Sequence, residues 1–291
     1  MRIVALLAAA LSVWGQTLSG VVDLHAHADP DSLPRSIDAL ELVRLARKRG
    51  LRAIVLKNHY EPTAGLAWLV RKEVPGLEVY GGIVLNRAVG GINPAAVERM
   101  TSVKGGWGRI VWMPTFDAEN HVRASGESRP FVAVSREGKL LPEVLQVLDL
   151  IARHDLVLAT GHASPPEVLL LVQEARRRGV NRILVTHAML APVRMNLSEM
   201  KAAAANGALL EFVYNALVGP NRSLTPRQYV EAIRAVGPQH CILSSDLGQA
   251  GNPLHPDGLE AFFDVLQREG LTPEEIAEMA KRNPARLLGL P

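Results

Sequence analysis

Eight short apolar runs, rich in β-branched residues, recur along the chain: GVVDLHAH (20–27), RAIVLKNH (52–59), LEVYGGIVL (77–85), RIVWMPT (109–115), LVLATGH (156–162), RILVTH (182–187), ALLEFVYN (208–215) and CILSSD (241–246). They are nearly continuous in apolar character rather than strictly alternating. That pattern marks parallel strands covered on both faces. The segments between them carry helical periodicity. SIDALELVRLARKRG (36–50) spaces Ile37, Leu40, Leu45 and Ala46 along one side and stops at Gly50. NPAAVERM (93–100) has Asn93 as a cap and Pro94 at the first helical position. PPEVLLLVQEARRRG (165–179) stops at Gly179, and TPRQYVEAIRAVG (225–237) and PDGLEAFFDVLQREG (256–270) follow the same plan. Strand–helix alternation repeated eight times predicts an α/β protein, a single-domain (β/α)8 TIM barrel.

One connection breaks the rhythm. Residues 115–139, after the fourth run, are too long for an ordinary strand-to-helix loop. FVAV-SREGK-LL inside this segment reads as a small hairpin, and a loop of this length at the mouth of a barrel suits a lid. The N-terminal MRIVALLAAALSVWGQ has a charged start, an apolar run and small residues near Gly15. It reads as a signal peptide over residues 1–15, which implies a periplasmic or secreted protein with the barrel spanning 16–291. The run is too short for a stable membrane span, and no later stretch reaches the required length.

Composition narrows the partners. The 291 residues are 48% hydrophobic, enough for one large core. Net charge is +3 from 32 basic and 29 acidic residues, with no basic block and only 4% aromatics, which argues against nucleic acid and leaves a small-molecule substrate, with the oligomeric state open to a homo-oligomer. The single cysteine, Cys241, cannot form an internal disulfide.

The candidate chemistry lies at strand ends, where the active sites of such barrels sit. The first run ends in His25 and His27, two residues apart and therefore on one face of a strand. The fifth ends in His162, the sixth in His187 and the eighth in Asp246. Imidazoles and a carboxylate without thiolates suit Zn, Mn or Fe(II). This ordered set resembles the amidohydrolase superfamily of metal-dependent hydrolases, over roughly residues 19–290. The tail EEIAEMAKRNPARLLGL resembles that superfamily's closing helix.

The resemblance implies that His25, His27 and Asp246 hold one divalent ion. His162 and His187 would hold a second, or one of them would ligate while the other orients substrate. It makes Asp246 the proton acceptor for the attacking water, with His187 beside it in the catalytic set. The superfamily often places a bridging Lys or Glu after the fourth strand; here RIVWMPTFD offers neither, and Asp117 lies just beyond. Lys57, at the end of the second run, has three readings: a carbamate bridging two ions, a cation for a substrate anion, or a structural residue turned away by register. His59, Arg87 and Tyr214 are candidate substrate contacts at strand ends, as are Asn86 and Asn215. His121 and His255 lie in loops expected at the mouth.

Three functions compete: hydrolysis of an amide, cyclic amide, lactone or related C–N or C–O bond; a metal-dependent phosphoesterase of the polymerase-and-histidinol-phosphatase type; and a non-catalytic metal-binding barrel.

Overall fold

The computed structural model of the chain describes residues 18–291, and the expected leader over residues 1–15 lies outside them. The first four strands are β1 (Val22–Ala26), β2 (Ala53–Leu56), β3 (Glu78–Val84) and β4 (Gly108–Trp112). A small antiparallel hairpin, β5 (Ser135–Arg136) and β6 (Lys139–Leu140), interrupts the series within the long connection, as the sequence predicts. Then come β7 (Val157–Ala159), β8 (Arg182–Val185), β9 (Leu209–Val213) and β10 (Cys241–Ser244). Apart from the hairpin, the eight strands form one parallel sheet in chain order. Its first and last strands meet just beyond β10: Leu247 bridges Ala26, Asp246 N donates to His25 O at 2.8 Å, and His27 N donates to Leu247 O at 2.9 Å. This is the (β/α)8 barrel that the alternating runs predict.

The crossover helices begin and end on local signals. α1 (Ala39–Lys48) starts at Asp38, whose carboxylate accepts from Leu40 N and Glu41 N, and the chain turns away at Gly50 with φ +84°. α2 (Ala64–Glu73) and α3 (Pro94–Thr101) follow, α3 capped by Asn93 as expected. A six-residue α4 (Glu119–Ala124) sits inside the long connection, before α5 (Pro142–Arg153). α6 (Pro165–Arg177), α7 (Leu197–Ala205) and α8 (Pro226–Val236) each begin with a capping box. α9 (His255–Arg268) and the C-terminal α10 (Pro273–Ala277) and α11 (Asn283–Leu288) close the chain. Among the described residues no helix is long and apolar enough to cross a membrane.

Two apolar layers result. Val22, Leu24, Val55, Ile110, Val157 and Ile242 fill the barrel, and Leu287 and Leu288 of α11 plug its lower end. Alternate residues such as Ile54, Leu56 and Phe212 pack outward against the helices. With the lower end sealed by apolar side chains, the polar residues of the interior collect at the upper end.

Candidate metal centre and its cavity

Alternation along the strands decides which side chains reach that upper end. On β2, Ala53 and Val55 face inward, so Lys57 does too. On β9, inward Leu209 is followed two residues later by Glu211; on β10, inward Ile242 is followed four residues later by Asp246. β1 obeys a different rule. Val22 and Leu24 face inward, which by strict alternation would turn His25 and His27 outward. The pairing with β2 absorbs the difference: Asp23 opposes Ile54 but Ala26 opposes Leu56, so β1 carries one extra residue and a bulge. The bulge swings both imidazoles into the barrel. His187 (φ +25°) and Asp246 (φ +50°) adopt left-handed backbone that costs non-glycine residues about 1–3 kcal/mol. Strain of this kind at two strand ends is spent on aiming two side chains.

His25, His27 and Asp246 offer one ligand atom each within 4.8 Å of one another, and all three are buried. Asp246 Oδ1 lies 3.0 Å from His25 Nε2 and 3.1 Å from His27 Nε2. Behind the cluster, His25 Nδ1 is 3.2 Å from Glu211 Oε2, which also accepts from His187 N at 3.0 Å. Glu211 thus favours the proton of His25 on Nδ1 and turns Nε2 toward Asp246. Two imidazole nitrogens and a carboxylate oxygen meeting at one point call for a proton or a cation between them. The donor set therefore fits a divalent ion.

The electrostatics agree. Burial opposes charge on His25, yet Asp246 and Glu211 outweigh it and lift its pKa to about 9. Burial works against the Asp246 carboxylate, but His25 and His27 hold it well below the usual range, so it is ionised. Burial pushes His27, His59 and His162 well below the ordinary imidazole value and His187 down to about 4, leaving each neutral with a lone pair to donate.

His162 and His187 form a second convergence, Nε2 to Nε2 at 3.1 Å. On its far side His162 Nδ1 meets Nδ1 of His121, from α4, at 2.9 Å, with the two rings stacked. Lys57 lies between the groups: its Nζ is 2.9 Å from His25 Nε2, and its charge is felt at His27, His59, His162 and His187. Burial lowers Lys57 to about 8, despite the pull of Asp246 and Glu211. The register thus turns Lys57 toward the cluster rather than away from it.

The upper inward position of β4 is filled by Trp112. Its ring lies 6.5 Å from that of His25, with Lys57 Nζ 5.7 Å from its centroid. Room for the indole comes from Gly82 on β3, where a Cβ would stand 2.5 Å from the ring and 2.1 Å from Ile110 O. A carboxylate or lysine from β4 has no place here; the basic group reaching the cluster comes from β2.

A cavity of about 430 Å³ opens above these groups, and His27, Lys57, His59, His162, His187 and Asp246 face it. His59 is held through Nδ1 by Thr115 Oγ1 (2.9 Å) and stacks on Phe116 with centroids 4.0 Å apart. Asn215 donates to Asp246 Oδ2 at 3.2 Å. Arg87 and Tyr214 do not reach the cavity. Arg87 is exposed in a turn beside Asp117, and Tyr214 leaves its strand to pack on Phe262. His255, expected in a loop, begins α9 and is fully buried. Glu211 and Trp112 escape a motif reading. Their only signal is inward parity, a lone carboxylate and a bulky indole at positions where neighbouring turns of the strand are aliphatic.

Comparison with known proteins bears first on the fold. No curated protein matches the sequence. An amidohydrolase from Pseudomonas aeruginosa superposes with a TM-score of 0.66 at 14% identity, covering 94% of this chain and 97% of that one. A probable dipeptidase from the same organism gives 0.68 at 11% identity, covering 97% of each. An organophosphorus hydrolase from Deinococcus radiodurans gives 0.61 at 16%, covering 94% of each. The resemblance carried by the His and Asp positions is thus matched by the barrel itself. The sequence model of DUF6282, described as a family of unknown function, matches residues 20–211, about two thirds of the chain, from before β1 into β9; the chain belongs to that family.

Proposed function

We propose that the chain is a metal-dependent hydrolase that activates water to cleave an amide, cyclic amide, lactone or related C–N or C–O bond. The observation that carries this reading is the meeting of His25 Nε2, His27 Nε2 and Asp246 Oδ1 at the buried end of an open cavity. A divalent ion there, with Zn favoured by the nitrogen-rich donors and Mn or Fe(II) as alternatives, would make hydroxide available near neutral pH and polarise the scissile carbonyl. The chain's own residues supply the rest. Asp246, ionised and fixed by Asn215, takes a proton from the attacking water and returns it to the leaving group. Glu211 fixes the tautomer of His25. His162 and His187 would hold a second ion, or one of them would ligate while the other orients the substrate.

Lys57 would serve as a carbamate, an anionic ligand shared by two ions. Its amine is buried and lowered to about 8, so a share is unprotonated near neutral pH. The nitrogen lone pair adds to the carbon of carbon dioxide, a proton leaves, and the product is an anion with two oxygens.

Elemental analysis of purified protein, prepared with and without bicarbonate, tests the centre. Two ions per chain whose occupancy depends on bicarbonate support the bridge; one ion regardless returns Lys57 to the substrate. Asp246→Asn should abolish turnover with the fold intact by circular dichroism, and appreciable residual activity would refute the proton-transfer role.

A further inference from the structure

The cavity wall away from the candidate ligands is basic. Arg35, from the loop after β1, lines it with a side chain only 4% exposed. Its Nε donates to Asp31 Oδ2 at 2.7 Å, and the Asp31 carboxylate is itself shielded from solvent. Such a guanidinium is pinned from behind and has little rotamer freedom left to lose on binding. Arg222, exposed, lines the same cavity from the loop after β9, and among the described residues it makes no ion pair. Among the described residues lining the cavity, Asp246 is the one carboxylate, and it is committed to His25, His27 and Asn215.

The loop carrying Arg222 is built rather than loose. Asn215, which holds Asp246 Oδ2, accepts through its own oxygen from Asn221 (3.4 Å) and from Asn252 (3.3 Å). Gly219 has φ +61°, and a Cβ there would stand 2.0 Å from Asn252 Oδ1, so the loop packs down only with glycine at this position. Three side-chain amides therefore tie the loop that carries Arg222 to the carboxylate proposed to move the proton.

We propose, on the hydrolase reading above, that the substrate is a small carboxylic acid whose carboxylate lies several bonds from the scissile carbonyl and seats between Arg222 and Arg35. A guanidinium fork matches a planar carboxylate in two parallel hydrogen bonds. Arg35, half neutralised by Asp31, supplies direction, and Arg222 supplies the uncompensated charge. A cavity of about 430 Å³ suits a short acyl chain between the two ends. Specificity then rests on the separation of two ends of one cavity: scissile carbonyl at the cluster, anion at the arginines.

Matched amides test this on zinc-loaded, full-length protein: N-succinyl-4-nitroanilide, which ends in a carboxylate, against N-butyryl-4-nitroanilide, which does not. The expected result is a kcat/KM at least tenfold higher for the succinyl compound, falling with added salt. Arg222→Ala should erase the preference by raising KM for the succinyl compound at least tenfold, with Arg222→Lys intermediate. Equal rates on the two amides, or an Arg222→Ala variant that lowers kcat equally for both, would overturn the proposal. If neither amide is cleaved, calorimetry with succinate decides the anion site independently of the hydrolase reading. Binding weakened at least tenfold in Arg222→Ala supports it; binding unchanged in that variant, or inorganic phosphate bound through Arg222 where succinate is not, overturns it.

Discussion

Glu211 illustrates how much of this centre depends on residues that touch neither cavity nor ligand position. It is fully buried, 3.2 Å from His25 Nδ1 and 3.0 Å from His187 N, so a single carboxylate orients one candidate ligand and anchors the backbone of another. Glu211→Gln keeps the shape and one acceptor but removes the charge that stabilises a positively polarised His25. Metal affinity should fall about 10–100-fold in a chelator competition, the usual cost of losing such a partner. Unchanged affinity would make Glu211 merely a filler of the barrel. The histidines and Asp246 are legible in the sequence because imidazoles at the ends of apolar runs are conspicuous. Glu211 is not, because one acid in LLEFVYN reads equally as an outward-facing strand residue. Its meaning depends on parity, and parity depends on which neighbours face the barrel.

Among the elements, β1 and the long connection depart most from what regular patterns give. Two imidazoles separated by one residue share a face in any strand, but strict alternation from Val22 and Leu24 turns that face outward. The extra residue between Asp23 and Ala26 reverses it, and a bulge leaves no mark in a hydrophobic profile. The long connection is recognisable by its length, and its hairpin by its turn residues. Its helix α4 has only six residues, too few for a helical period to emerge, yet it delivers His121 to His162. His162 Nε2 faces His187, so ligation through Nε2 would leave the His162 proton on Nδ1, where His121 Nδ1 lies 2.9 Å away to accept it and fix the ring. His121→Ala should therefore weaken the second of two bound zinc ions about tenfold and leave the first unaffected, measured by stepwise removal with chelators of graded strength. His121→Asn, whose amide oxygen can accept the same proton, should recover part of the loss. Equal weakening of both ions would show that α4 acts on the whole mouth rather than on His162.

At the scale of the molecule, the eight runs are legible because a parallel strand is apolar on both faces and stands out whatever its neighbours do. The cap at Asn93 is legible for a similarly local reason: a short polar side chain satisfies a free amide in its own turn. What the runs cannot convey is how the barrel closes, since the backbone hydrogen bonds that join the first strand to the last come from residues past the end of β10. An ion held by His25, His27 and Asp246 joins those two strands in the native state alone. At a zinc concentration one hundred times its dissociation constant, the gain is about 2.7 kcal/mol. For a domain of this size that is a rise of about 5 °C or more in Tm, read by thermal unfolding with and without metal. Asp246→Asn should blunt the rise, and a wild-type Tm indifferent to zinc would mean that the cluster binds no ion in the folded state.

The hydrogen bonds that zip the first strand to the last run from Asp246 N to His25 O and from His27 N to Leu247 O, so the backbones of all three candidate ligands make the join. Occupancy and closure are therefore one event seen from two sides. A captured cation acts as a clasp on the cylinder, and stripping it with a chelator should loosen amide protection first along that join.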